Sequence, residues 1–140
     1  ESLRTAVRNR YVTALLVLVD PAARTLRYVS AGHLSFLTGD GREWESTGPP
    51  LGMLAGARYE VRTVPLAPAE RLLLYTDGLS EAMTEAGVQF GSERVSAVFA
   101  ASRALPPAAA VQAIVDAART FTGKPGFADD ASAIVLQLEP

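Results

Sequence analysis

Between Tyr11 and Val19 the chain is apolar at odd and even positions alike, with Thr13 the one polar exception. A run of this kind predicts a central strand covered on both faces. Asp20-Pro21-Ala22-Ala23-Arg24 is a turn, with proline presetting φ at its second position. Thr25–Ser30 then alternates and places Leu26, Tyr28 and Ser30 on one side. A short strand, Leu34–Thr38, turns through Gly39-Asp40-Gly41 into Arg42–Ser46. Gly48-Pro49-Pro50-Leu51-Gly52 is a stiff irregular loop, and Tyr59–Pro65 alternates like a half-buried strand. Leu72–Thr76 is again apolar on both faces and stops at Asp77-Gly78.

The period then changes to that of helices. Val95, Val98 and Phe99 share one face of a helix starting near Ser92, with Ser92 as N-cap and Glu93 in the first turn. A second helix opens after Pro106-Pro107, carries Val111, Ile114, Val115, Ala118 and Phe121, and ends at Gly123. Ser132–Leu138 is a last buried strand. At the other end, Leu3 and Val7 fall four apart, so residues 1–10 read as the tail of a helix. Strands first and helices late define an α+β domain of mostly antiparallel sheets.

Composition narrows the chemistry. A length of 140 residues, 49% hydrophobic, fits one domain with its own core. The absence of cysteine excludes disulfides, thiolate zinc sites and cysteine nucleophiles, and a single histidine excludes multi-histidine metal sites. A net charge of −2 (13 − 15) gives no basic face for a nucleic-acid backbone. No apolar stretch has the ~18–20 residues that cross a bilayer, so no membrane insertion is expected.

Two acidic positions stand out. Asp77 ends one buried strand, and Asp129-Asp130 precede another. If those strands are antiparallel neighbours, the carboxylates meet at one rim of a sheet. Clustered carboxylates repel unless a cation lies between them, and all-oxygen ligation suits a hard ion. Spacing alone favours the plainer reading, an ordinary Asp-Gly turn and a solvated Asp-Asp loop. The only Gly-Lys, Gly123-Lys124, precedes Pro125 and lacks the rest of a P-loop. No G-x-S-x-G elbow supports a triad through His33, which is better read as a hydrogen-bonded structural residue than as a catalyst. Trp44 reads as a packing residue of its hairpin.

In order along the chain, five blocks resemble the SpoIIE/RsbU-like branch of the metal-dependent (PPM-type) serine/threonine protein phosphatases. They are Tyr11-Val12-Thr13, Ser30-Ala31-Gly32-His33, Gly48–Gly52, Arg71–Ala82 with Phe90-Gly91, and Asp129-Asp130-Ala131-Ser132. The resemblance implies a layered β-sandwich flanked by helices, with a two-metal site for Mn²⁺ or Mg²⁺ whose activated water attacks a phosphoserine or phosphothreonine. It makes Asp77 and Asp129 metal ligands and Asp130 an orienting neighbour. Gly78 would permit close backbone approach, and Gly32 and His33 would shape the floor of the site. It further implies a cytoplasmic protein acting on a phosphorylated STAS-type anti-anti-sigma partner in sigma-factor signalling.

The family's opening Gly-Asp-x-x-Asp strand and Asp-x-x-Gly-His-Gly turn have no counterpart here. The chain is therefore expected to be the C-terminal two-thirds of such a domain, incomplete at its N-terminus. The alternative is a non-catalytic, phosphatase-like regulatory binding module. Sheet surfaces left uncovered would favour a homodimer.

Overall fold

The apolar run after Tyr11 forms strand β1 (Ala14–Asp20), paired antiparallel with β2 (Thr25–Ala31), Ala14 opposite Ala31 and Asp20 opposite Thr25. The Asp20 carboxylate accepts the Ala23 N–H at 2.9 Å and closes the turn between them. In the computed structural model, which describes residues 11–34 and 36–139, these strands belong to the first of two compact units. That unit is residues 11–34 with Glu45–Pro68, and the second is Phe36–Trp44 with residues 69–139. The two units are interleaved in sequence. The expected helix at residues 1–10 lies outside the described residues.

In the first unit, β2 is the middle strand, flanked by β1 and by the short β5 (Arg62–Pro65). Leu26, Tyr28 and Ser30 are all buried on one side, as alternation requires. The doubly covered β1 expected from its sequence is not found. β1 is an edge strand among the described residues, and Leu16 and Leu18 are 65% and 56% exposed. Among the described residues one face of this sheet is covered and the other is not, so alternate side chains of a strand apolar from Ala14 to Val19 meet solvent. With Val29 and Val61 they line an open hollow of about 430 Å³. The Tyr59–Pro65 strand is likewise shorter than expected, starting at Arg62.

The second unit is a four-stranded antiparallel sheet in the order β4 (Glu43–Trp44), β3 (Phe36–Thr38), β6 (Arg71–Tyr75), β7 (Ala133–Gln137). β6 is central, and Leu72 and Leu73 are fully buried, as two apolar faces demand. β7 is an edge strand and not the buried one expected, with Ile134 and Leu136 exposed. The β3–β4 turn is held by the Thr38 hydroxyl, which donates to Asp40 at 2.6 Å. That bond, with help from Arg42, holds the Asp40 carboxyl below its ordinary range against a smaller opposing effect of burial.

Three helices complete this unit. A single turn, α1 (Asp77–Ser80), follows β6 where a plain stop was expected. In α2 (Ser92–Ala101) the N-cap is Gly91 at φ 82° and not Ser92, because only glycine takes that backbone angle cheaply. In α3 (Pro107–Thr122), proline occupies the first turn and Gly123 the left-handed C-cap at φ 68°. Ala110, Ile114, Ala118 and Thr122 form its buried stripe, and α3 packs on β7 and α2. Arg71, buried in β6, donates from Nη1 to the Ser102 and Arg103 carbonyls at 2.9 Å and so caps the end of α2. Among the described residues no helix is long and apolar enough to cross a membrane.

Tyr75, at the end of β6, is buried, and its hydroxyl has no partner among the described residues. Burial, assisted by the Glu43 carboxylate, pushes its phenol up to about 12. Above pH 10 the unfolded chain releases this proton while the folded chain keeps it, so stability falls as pH rises from 10 to 12. Tyr75→Phe should leave stability at pH 7 unchanged or raise it by up to ~1 kcal/mol, and should flatten that alkaline decline in urea midpoints. Leu72→Ala should cost ~2–5 kcal/mol by the same measurement. Leu16→Ala, on the open face, should cost under ~0.5 kcal/mol.

Candidate functional site

The register of β6 against β7 brings the acidic residues together. Tyr75 lies opposite Ala133, the last pair of the ladder. One step beyond it, the Thr76 N–H donates to the Ser132 carbonyl at 3.0 Å. Asp77, next along one strand, and Asp129-Asp130, just before the other, therefore leave the same rim of the sheet. Two further bonds tie the loops. The Ser132 N–H donates to Thr76 Oγ1 at 2.9 Å, and Thr76 Oγ1 donates to the Asp130 carbonyl at 3.3 Å.

Gly78 is what lets the two segments meet. A Cβ there would sit 2.9 Å from the Asp130 carbonyl carbon and closer still to its oxygen, so any side chain would push the loop away. Its backbone angle is ordinary, so space is what requires the glycine. Each acidic side chain is steadied by the next amide: Gly78 N–H donates to Asp77 Oδ1 at 3.0 Å, and Asp130 N–H to Asp129 Oδ1 at 2.7 Å. Asp77, Asp129 and Asp130 are all exposed, with oxygens open to a ligand from solvent.

Gly32 and His33 belong to the other unit, where two more of the sequence blocks meet. The Gly32 N–H donates to the Gly48 carbonyl at 2.7 Å and to Ser46 Oγ at 2.9 Å. A Cβ on Gly32, at φ 63°, would lie 2.7 Å from the Pro50 nitrogen, so the glycine seats the turn on the Gly48–Pro50 loop. His33 contributes its main-chain carbonyl, which accepts the buried Ser30 hydroxyl at 3.1 Å. That is a structural part in the turn.

Among the described residues no group of three or more acidic or histidine side chains is placed to hold a metal ion. The β6–β7 rim offers exposed carboxylates from two neighbouring loops and nothing softer. That donor set fits a hard divalent cation: Mg²⁺ keeps several waters and is typically held by one or two carboxylates plus substrate phosphate. Thr76 and Ser132, which join the loops, were not singled out by sequence. The available sign was a hydroxyl residue at the junction of an apolar strand with an aspartate.

Comparison with known proteins places the chain in a family. A family model described as Stage II sporulation protein E (SpoIIE) matches residues 1–139. Phosphoserine phosphatase RsbP of Bacillus subtilis is 33% identical over 77 residues, 52% of this chain and 19% of that protein. The SiaA-PP2C domain of Pseudomonas aeruginosa superposes with a TM-score of 0.78 at 28% identity, covering 91% of this chain and 52% of that one. The phosphatase domain of SpoIIE from Bacillus subtilis, in its Mn-presoaked structure, shares the fold at TM-score 0.66 and 14% identity, covering 91% and 56%. The chain thus spans about half the length of the solved domains it matches and under a fifth of RsbP. The α+β architecture with antiparallel sheets is that of PP2C-like phosphatases. By its sequence from end to end the chain belongs to the SpoIIE family, and its fold is that of PP2C-like phosphatase domains.

Proposed function

We propose that this chain carries the metal-binding rim of a phosphoprotein phosphatase that acts on phosphoserine or phosphothreonine of a cytoplasmic regulatory protein of the anti-anti-sigma kind. The observation that carries it is the meeting of Asp77 with Asp129-Asp130 at adjoining ends of β6 and β7. Asp77 and Asp129 would hold Mn²⁺ or Mg²⁺, which when bound supplies an activated water and neutralises charge on the phosphoryl oxygens. The chain's own part is to hold two exposed carboxylates at one rim of the sheet. Gly78 keeps the loops in register, and the amides of Gly78 and Asp130 orient the Asp77 and Asp129 oxygens. Asp130 fixes the loop through its main chain, its carbonyl resting over Gly78.

A second reading draws on the same rim. With no group of three or more acidic or histidine side chains placed to hold a metal ion among the described residues, the chain also suits a phosphatase-like module that binds a partner without turnover. The two are separated by phosphate release. A phosphoserine peptide with Mn²⁺ should be hydrolysed by this chain, and Asp77→Asn should lower the rate by ~100-fold or more, since even partners outside the ligand shell carry 10–100-fold. Turnover indifferent to Mn²⁺ or to Asp77→Asn would contradict the phosphatase assignment. Mn²⁺ binding without any release would favour the module.

A further inference from the structure

Thr76 occupies the N-cap position of α1, with φ −102° and ψ 160°, yet its side chain makes no capping hydrogen bond. A threonine in this place ordinarily accepts an N–H two or three residues ahead. Here the hydroxyl is turned to the other loop. It accepts the Ser132 N–H at 2.9 Å and donates to the Asp130 carbonyl at 3.3 Å, while the main-chain N–H of Thr76 donates to the Ser132 carbonyl at 3.0 Å. Both the donor and an acceptor site of the hydroxyl are thus engaged by one loop, and that loop carries Asp129. β-Branching limits χ1, so the hydroxyl is held in the geometry that spans the gap.

We infer that Thr76 is the positioning residue of the site: its hydroxyl clamps the Asp130–Ser132 backbone and so sets the Asp129 carboxylate beside Asp77. This rests on the proposal that Asp77 and Asp129 share a cation. The bonds involved explain the division of labour at the rim. Gly78 leaves room for the Asp130 carbonyl, and Thr76 draws that same carbonyl into the space. Beyond the last β6–β7 ladder pair, both side-chain bonds that join the two loops run through this one oxygen atom. Valine has the same shape and neither bond.

The test compares the unaltered chain with Thr76→Val, Thr76→Ser and Asp77→Asn by amide hydrogen exchange and by calorimetric titration with Mn²⁺ alone. In Thr76→Val the Ser132 amide should exchange ~10-fold faster or more, with Leu72, Leu73 and Leu74 unchanged, and Mn²⁺ should bind ~10-fold more weakly. Thr76→Ser should restore most of both effects. Exchange at Ser132 that does not change, or that rises only in step with the β6 amides, would overturn the clamp. Mn²⁺ binding that depends on Asp77 but not on Thr76 would overturn the positioning role alone. Binding that ignores Asp77→Asn would instead overturn the metal assignment on which it rests, and the positioning role with it. Should Thr76→Val fail to fold, Thr76→Ala carries the same comparison.

Discussion

The pairing of β6 with β7 is the constraint on which the candidate chemistry depends. Five residue pairs, from Arg71–Gln137 to Tyr75–Ala133, fix which residues leave the sheet together. A slip of one residue would turn every side chain to the opposite face and separate the two acidic loops. Burial holds β6 in the middle of the sheet: Leu72 and Leu73 point to opposite sides of the strand and both are fully buried. At ~25 cal/mol per Å², drawing either side chain out of the core by unpairing β6 would cost about 1.5–3 kcal/mol, more than the surface carboxylates could recover by pairing with anything exposed. Hydrophobic packing therefore places the aspartates, which the proposed function makes the ligands of a cation.

Most of the framework was legible because it rests on side-chain period. Leu26, Tyr28 and Ser30 alternate and are buried, and Pro107 and Gly123 bracket a helix whose apolar stripe faces inward. The neighbouring, antiparallel relation of the Leu72 and Ser132 strands, supposed from sequence, is also present. What failed was the inference of coverage. β1 and β7 carry runs that are apolar on both faces, and apolarity reports what a strand tolerates, not what lies over it. Nothing local distinguishes a strand in mid-sheet from one at an edge. The N-cap at Gly91 was missed because Ser92 is the better capping residue by type, while the backbone angle one residue earlier decided the matter.

The site was legible in part. Asp77, Asp129 and Gly78 could be named from a family pattern, and the structure supplies a physical reason for the glycine that a pattern lacks. Thr76 and Ser132 lie within the matched blocks, but their role could not be read there, because it is a contact between residues 56 apart in sequence. Gly32 shows the same principle in the first unit: its freedom at φ 63° matters because Pro50 lies against it. In each case a small residue is required by a neighbour distant in sequence, and only the fold reveals that neighbour.

The central claim is that the two acidic loops serve one cation. Nuclear magnetic resonance of the chain during Mn²⁺ addition measures this directly, through paramagnetic broadening of individual amides. The amides of Asp77 and Gly78 should broaden together with those of Asp129 and Asp130, at the same Mn²⁺ concentrations, and both sets should be spared in Asp129→Asn. Broadening confined to one loop, or spread over the other exposed carboxylates of the chain at similar concentrations, would contradict a shared site.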